Sequence, residues 1–121
     1  VAGVHWLVPF APAGAREAIA VVPQVARLTD LDDEHTAALA HGLTRILTWY
    51  EDEGLSAFNF TLYGGPLTGR DAGFPVVLRV IARTAFQQDY RTDDYYLHKQ
   101  LGGELMFAAP EEMAARLRPL F

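Results

Sequence analysis

The sequence predicts one α+β domain in which an antiparallel β-sheet carries helices on one of its faces. Two observations support this prediction: segments in which apolar and polar residues alternate, as in half-buried strands, and a long segment with apolar residues at helical spacing. A helix followed by a pair of strands favours helices packed on the apolar side of a sheet. Because 121 residues suffice for one domain, we assign residues 1–121 to a single unit.

Two short strands are predicted at the start of the chain. HWLVPF covers residues 5–10 and AIAVVP covers residues 18–23, and both contain the β-branched or aromatic residues that are enriched in strands. The segment APAGAREA between them is small and flexible, as expected of a connecting loop.

A long amphipathic helix is predicted next, ending at Gly54. Asp30 or Asp32 can cap its amino terminus, and the acidic residues that follow interact favourably with the positive end of the helix dipole. Apolar residues then recur at spacings that place them on one helical face. They are Leu39, Leu43, Ile46, Leu47 and Tyr50.

Two further strands, AFNFTLYGG and FPVVLRVIAR, flank a glycine-rich loop, and each alternates in a way that separates two faces. One face is apolar and consists of Phe58, Phe60, Leu62, Val76, Leu78, Val80 and Ala82. The opposite face consists of Asn59, Thr61, Tyr63, Val77, Arg79, Ile81 and Arg83. We therefore expect the helices to cover the apolar face and the other face to remain available.

Three elements are predicted in the last third of the chain. DYRTDDYYLHKQ, residues 89–100, is a short helix or a loop, and GELMFAA, residues 103–109, is a last strand. APEEMAARLRPLF is a terminal amphipathic helix with Pro110 in its first turn, where no backbone N–H is needed. Its predicted apolar stripe consists of Met113, Leu117 and Leu120.

The composition of the chain excludes several classes of function. The net charge of −5 argues against a large nucleic-acid footprint, which needs clustered Lys and Arg. No apolar run approaches the roughly 18 residues of a membrane span, so we expect neither a nucleic-acid nor a membrane partner. The absence of cysteine excludes disulfides and thiolate chemistry and suits a reducing compartment, here predicted to be the cytoplasm.

The residue types that commonly carry catalysis or bind metals form no recognisable set. His35 and His41 are six residues apart on a helix, about 240° around its axis, and cannot share one metal ion. Ser56 is the only serine and lacks the glycine elbow of a hydrolase nucleophile. Asp93 and Asp94 are neighbours with diverging side chains. We assign no catalytic residue, no metal ligand and no cofactor.

Two features leave anion binding open. The loop YGGPLTGRDAGFP, residues 63–75, precedes a strand rather than a helix, which favours a hairpin connection over a phosphate-binding loop. Arg79 and Arg83 lie about 13 Å apart on one face of a strand. They can bind an extended anion or two acidic groups, or they can pair with acidic residues of the protein itself.

In the order of these segments, the chain resembles the carboxy-terminal half of galactose-1-phosphate uridylyltransferases. The matching series is HWLVPF with the following AIAVVP, then DLDDE, FNFTLYGGP, FPVVLRVIAR and the closing PEEMAARLR. The resemblance implies a histidine-triad-like fold, an antiparallel sheet with one long helix and a carboxy-terminal helix packed on one face. It also implies that the chain is the carboxy-terminal half of a longer protein, which the start at Val1 also indicates.

The resemblance implies dimers that transfer a nucleotidyl group between sugar phosphates. The nucleophilic histidine of that family lies in a His-Pro-His motif of the amino-terminal half, and this sequence contains no such motif. Three histidines that hold a structural metal in the family correspond here to Tyr63, Pro75 and Val77. We therefore expect the chain alone to be inactive and the metal to be absent.

Three functions remain open at this stage. The chain is a carboxy-terminal domain that supports the dimer and substrate site of a uridylyltransferase-like enzyme of galactose metabolism, a non-catalytic nucleotide- or phosphate-binding domain, or a structural partner-binding domain. The expected partners are the amino-terminal half of the same protein or a second subunit of a homodimer, and a nucleotide sugar or sugar phosphate. The candidate substrate-binding residues are Asn59, Tyr63, Arg79, Arg83, Lys99 and Gln100.

Overall fold

The computed structural model describes residues 3–68, 73–83 and 109–121. In these residues the elements are β1 (His5–Leu7), β2 (Ala18–Val22), a 3₁₀ turn (Leu28–Asp30), α1 (Asp33–Asp52), β3 (Phe58–Tyr63), β4 (Val76–Ala82), α2 (Pro110–Leu117) and a second 3₁₀ turn (Arg118–Leu120). The predicted α+β class is confirmed. The predictions for residues 89–100 and for nearly all of residues 103–109 lie outside the described residues.

The four strands form one antiparallel sheet in the order β1-β2-β4-β3. Trp6 pairs with Ala20, Ala20 pairs with Leu78, and Leu78 pairs with Leu62. Because directly opposed residues of an antiparallel pair share a face, these four side chains lie in one row on the same side of the sheet. The row fixes which side chains of every strand point toward the helices.

Two elements end earlier than the sequence predicts, and a proline accounts for each. β1 ends at Leu7 rather than at residue 10, because Pro9 has no N–H to donate to the ladder. α2 ends at Leu117, because Pro119 cannot donate the next helical hydrogen bond. Leu120 therefore falls in the following 3₁₀ turn and is 37% exposed, so its predicted place in the apolar stripe of the helix is wrong.

The core lies between the sheet and the two helices. Of the two predicted caps, Asp32 starts α1: its Oδ1 accepts a hydrogen bond from the backbone N–H of His35 at 2.7 Å. The buried apolar residues of the core include Leu39, Ile46, Trp49 and Tyr50 of α1, Met113 and Leu117 of α2, Ala18, Ala20 and Val22 of β2, and Val76, Leu78, Val80 and Ala82 of β4. The prediction that helices cover the apolar face of β4 is confirmed.

The edge strand β3 departs from this pattern. Phe58 and Phe60 pair with Ala82 and Val80 and so point toward the helix side, yet they are 40% and 54% exposed. α1 makes its main contacts with the central strands β2 and β4, which leaves the outer strand less covered. The predicted buried side therefore holds for β4 but not for the first half of β3.

Candidate functional site

Most of the predicted site residues lie on the side of the sheet opposite α1, called here the open face. Asn59 and Tyr63 of β3 point to this side and are exposed, as is Thr61 between them. In the ladder, Thr61 lies opposite Arg79 and Tyr63 lies opposite Val77. Lys99 and Gln100, the two other candidates, lie outside the described residues.

Arg79 is bound to a buried carboxylate on the open face. Its Nε donates to Oε1 of Glu17 at 2.6 Å, and its Nη2 lies 2.5 Å from the same oxygen. Glu17 is only 1% exposed, and its Oε2 accepts a hydrogen bond from the backbone N–H of Ala13 at 2.5 Å. A buried carboxylate needs such partners to offset its desolvation. Of the two alternatives open for Arg79, the structure thus shows the pairing with an acid of the protein.

The loop between β1 and β2 covers one end of the open face. A Cβ built on Gly14 would lie 2.7 Å from Cγ2 of Ile81, so this close approach requires glycine. The loop is also fixed to β4 by a hydrogen bond from the N–H of Ala82 to the carbonyl of Ala15, at 2.9 Å. β4 is therefore covered at its Ile81 end, and the accessible part of the open face lies along β3 and toward Tyr63.

The glycine-rich loop joins β3 to β4, as a hairpin connection does. The N–H of Gly65 donates to the carbonyl of Ala26 at 2.6 Å, and the N–H of Val76 donates to the carbonyl of Val25 at 2.6 Å. A Cβ on Gly64 would lie 2.9 Å from Cγ of Leu28, so the loop packs closely on the segment that leads to α1. The amide of Gly65 is used inside the fold and is not available to a phosphate group.

Of the three positions that the sequence resemblance aligns with metal ligands, Tyr63 and Val77 lie opposite each other at one end of the hairpin. Pro75 comes directly before the first residue of β4. The side chains of proline and valine offer no donor atom to a metal ion. Within residues 3–68, 73–83 and 109–121, no three His, Asp or Glu side chains come together as metal ligands.

Arg83 is an exposed cation that follows the last residue of β4. Its backbone N–H donates to the carbonyl of Ala57 at 2.8 Å, which extends the pairing between β4 and the segment before β3. Its position is thus set by the sheet, while its side chain reaches solvent. Because Arg79 is held by Glu17, Arg83 is the more accessible of the two candidate arginines.

A cluster of aromatic and charged residues connects the β1–β2 loop to both helices. Tyr50 donates its hydroxyl to the carbonyl of Arg16 at 2.5 Å, and burial raises the pKa of this phenol well above its ordinary value. Arg16 has a φ of 53°, a strained value for a residue with a side chain. The guanidinium groups of Arg16 and Arg116 both contact the carboxylate of Glu53 and lie 5.7 and 5.8 Å from the Trp49 ring. These contacts fix the loop that covers Glu17.

A cavity of about 500 Å³ opens on the helix side, between β1, α1 and α2, and is called here the β1–α1–α2 cleft. Trp6 stacks on Phe121 with ring centroids 5.6 Å apart, and the guanidinium of Arg45 lies 5.7 Å from the Phe121 ring centroid. The ionisable residues that line it are His5, His41, Arg45 and Arg118. The cleft cannot be read from the sequence, because three segments far apart in the chain form it.

Two further residues of these sites escaped the sequence reasoning, although each leaves a signal. Glu17 directly precedes the apolar strand Ala18–Val22 and alternates with Ile19, which places a carboxylate on the open face. Gly42 lies inside α1, where glycine costs about 1 kcal/mol relative to alanine. A Cβ there would lie 2.3 Å from Nε1 of Trp6, so the glycine permits the indole to pack on the helix.

No protein-family model matches the chain. An uncharacterised protein of Archaeoglobus fulgidus is 28% identical over 117 residues, which is 97% of this chain and 34% of that protein. The structure of a uridylyltransferase is 20% identical and matches with a TM-score of 0.72, over 97% of this chain and 38% of its own. An ADP-glucose phosphorylase of Arabidopsis thaliana, solved with bound ADP-glucose, is 16% identical with a TM-score of 0.73, over 96% of this chain and 37% of its own.

This chain has the histidine-triad-like fold of the uridylyltransferases. A mutant uridylyltransferase gives the same result, with a TM-score of 0.74, 21% identity and coverage of 97% of this chain and 40% of its own. The fold that the sequence resemblance implied is thereby confirmed. The chain spans only about a third of the curated relative and about two-fifths of the solved enzymes. Within its described part, the fold contains no helix with the length and apolar character of a membrane span.

Proposed function

We propose that the chain is the carboxy-terminal domain of a longer uridylyltransferase-like enzyme and that it supports the dimer and the substrate site. The coverage of the fold match supports this best: 97% of this chain corresponds to 38% of a uridylyltransferase. The reaction of the whole protein is nucleotidyl transfer between sugar phosphates, in galactose metabolism and in the cytoplasm. Its nucleophile belongs to a part of the protein outside these 121 residues, since the sequence has no His-Pro-His motif.

In this proposal the accessible part of the open face contributes to binding a sugar phosphate or nucleotide sugar. The amide of Asn59 and the hydroxyls of Thr61 and Tyr63 line β3 and offer donors and acceptors for sugar hydroxyls. Arg83 offers an exposed guanidinium for a phosphate group. Arg79 contributes less, because its charge is already balanced by Glu17.

Lys99 and Gln100 belong to the proposed site through the family resemblance alone. In that family the region after the second strand of the hairpin reaches the active site of the partner subunit. This would place the two side chains in a substrate site that the second subunit completes. Their role is therefore tied to the proposed homodimer rather than to the open face of the same chain.

A structural role in binding a partner is supported by a separate observation. Apolar residues are exposed where the hairpin turns: Tyr63 is 44%, Leu67 is 70% and Phe74 is 50% exposed. Exposed apolar groups that lie together commonly mark a contact with another protein surface. We propose that this end contacts the amino-terminal half of the same protein or a second subunit. A domain that binds nucleotide without catalysis, by contrast, would need only the open face.

Titration of the chain, followed by amide proton–nitrogen NMR spectra, tests the substrate site. With galactose 1-phosphate or UDP-glucose at millimolar concentrations, the amide signals of Asn59, Thr61 and Tyr63 should shift. Arg83→Gln should weaken binding of galactose 1-phosphate about tenfold, the value of one charge-assisted hydrogen bond. Arg116→Gln, in α2, removes the same charge at a position that pairs with Glu53, so it is the matched control and should leave the titration unchanged. Shifts confined to other residues would contradict the assignment of the open face.

Activity measurements test the placement of the chemistry. The chain incubated with UDP-glucose and galactose 1-phosphate should form no UDP-galactose. Formation of UDP-galactose by the chain alone, lost in His5→Ala, would mean that a catalytic histidine lies within these residues.

Sedimentation velocity of wild type and of Leu67→Asp tests the contact surface, because an added charge at an exposed apolar position should reduce association without lowering the unfolding midpoint.

A further inference from the structure

We propose that the β1–α1–α2 cleft binds a small anion with an apolar body, namely a carboxylate or phosphate monoester attached to an aromatic ring. The cleft lies on the helix side of the sheet and shares none of the open-face residues Asn59, Tyr63, Arg79 and Arg83. This inference therefore stands independently of the proposed uridylyltransferase-like function. It rests on the size of the cleft, on its charge and on its aromatic wall.

The size of the cleft suits a small molecule. Its volume of about 500 Å³ lies within the range of small-molecule sites, about 300–1,000 Å³. A docking helix about 10 Å across with a pitch of 5.4 Å would fill this volume with little more than one turn. Residues of β1, α1 and α2 line the cleft. A peptide helix is therefore a poor match.

The charge of the lining favours an anion. His41, Arg45 and Arg118 line the cleft from the helix side, and no acidic side chain lines it among the residues that the structure describes. Acidic residues outnumber Lys and Arg by 15 to 10 in the whole sequence, so this lining runs against the average of the chain. Two guanidinium groups at one cleft in an otherwise acidic protein attract a negatively charged ligand and repel a cation.

The aromatic wall favours a ligand with a planar apolar body. Trp6 and Phe121 are stacked with an interplanar angle of 27°, and Arg45 lies 5.7 Å from the Phe121 ring centroid. A ligand ring can pack against this wall while its acidic group reaches Arg45 or Arg118. Gly42 holds the arrangement in place, because a Cβ would lie 2.3 Å from Nε1 of Trp6. A glycine in the middle of α1 thus keeps the indole at the cleft despite its cost to the helix.

Calorimetric titration with three probes of one shape tests the proposal. The probes are α-naphthyl phosphate, α-naphthaleneacetate and the neutral α-naphthalenemethanol. Both anions should bind at least about tenfold more tightly than the alcohol, because only they gain charge-assisted hydrogen bonds. The tighter of the two anions then identifies the acidic group that the cleft prefers. Equal affinity for the alcohol would overturn the anionic assignment.

Substitutions locate the binding. Arg45→Gln and Arg118→Gln should each raise the dissociation constant of the preferred anion about tenfold. Arg116→Gln removes the same charge from α2 at a position that pairs with Glu53 and does not line the cleft, so it should leave that dissociation constant unchanged. An NMR signal from the indole N–H of Trp6 should shift with α-naphthyl phosphate in wild-type protein, a readout that needs no variant to fold. An unchanged Trp6 signal, or equal affinities in the Arg45 and Arg116 variants, would exclude the cleft as the site.

Discussion

The two faces of the sheet are made by the same four strands but differ in chemistry. Toward the helices, alternate residues of β2 and β4 are buried and wholly apolar, as at Ala20 and Val80, which are both 0% exposed. On the open face, the same strands carry partly exposed residues, and Arg79 of β4 forms an ion pair with the buried Glu17, which directly precedes β2. The alternation of a single strand is enough to separate the two environments.

The difference between the faces shows how the fold divides stability and binding. Between the central strands and the helices, the helix side is filled by apolar packing, which is non-directional. The open face is itself divided: the β1–β2 loop covers the end near Glu17 and Ile81, and the end near Tyr63 remains exposed. The loss in free energy of unfolding caused by a substitution should therefore differ between the two faces. On the open face this loss should also depend on a partner residue.

The largest effect is expected from a truncation on the helix side. Ile46 of α1 is 0% exposed and belongs to the core between helix and sheet. Ile46→Ala should lower the free energy of unfolding by about 3 kcal/mol, through lost burial and the cavity that remains. Urea denaturation measures this change, and an unchanged dependence on denaturant would show that the native state is intact.

A surface truncation provides the matched control for this prediction. Leu67 is 70% exposed, so Leu67→Ala should change the free energy of unfolding by less than about 0.5 kcal/mol. Similar losses for Ile46→Ala and Leu67→Ala would mean that the helix side is not the principal source of stability. The proposed difference in stability between the two faces would then be wrong.

A smaller effect is expected on the open face, at the Glu17–Arg79 pair. Glu17→Ala leaves the Arg79 guanidinium and the Ala13 N–H without their acceptor. Because Arg79 is 36% exposed and water reaches it, we expect a loss of about 2 kcal/mol, less than for a fully buried pair. Arg79→Ala should cost a similar amount by leaving a buried carboxylate unpaired.

A double-mutant cycle separates this pair from ordinary packing. The double variant should lose less than the sum of the single variants by about 1 kcal/mol or more, since each single change already removes the interaction. The pair Glu53 and Arg116 is the control, because the Arg116 side chain is 58% exposed and such pairs couple by less than about 1 kcal/mol. Additive losses for Glu17 and Arg79 would show that the ion pair does not join loop and strand energetically.

Features that depend on nearby residues could be predicted from the sequence. The apolar face of β4 follows from alternation over seven residues, and α1 follows from helical spacing together with an acidic start. The hairpin connection between β3 and β4 follows from the strand after the glycine-rich loop. These signals are local, so no knowledge of register or packing was needed.

Features that depend on register could not be predicted in the same way. Glu17 meets Arg79 across 62 positions of sequence because Ile19 happens to lie opposite Arg79 in the ladder. The exposure of Phe60 depends on which strands α1 contacts, and the pattern of β3 carries no information about that. The β1–α1–α2 cleft likewise requires three distant segments to meet. In the candidate site, the local sequence pattern identifies which side chains share a face. The strand register decides which of them stay accessible and which, like Arg79, pair with another residue of the protein.

The smallest effect is expected at the start of α1, the helix that covers one face. The hydrogen bond from the backbone N–H of His35 to Oδ1 of Asp32, assisted by the His35 side chain 2.7 Å away, holds the pKa of Asp32 below its ordinary value. Because the folded state has the lower pKa, the stabilisation is complete above the unfolded carboxyl pKa of about 3.9. It is lost as the pH falls below that value and through the pKa of the folded protein.

Asp32→Asn separates this titration from the cap itself, because an amide oxygen still accepts the hydrogen bond but carries no titrating charge. The melting temperature of wild type relative to Asp32→Asn should therefore fall on acidification below about pH 4. Asp32→Ala should be less stable than either across the whole range. The difference in melting temperature between the protein with Asp32 and the Asp32→Asn variant should persist when Glu17→Ala is also present. The reason is that the cap lies on α1, whereas Glu17 lies on the opposite face of the sheet. A difference that disappears with Glu17 would mean that the two faces are not energetically independent.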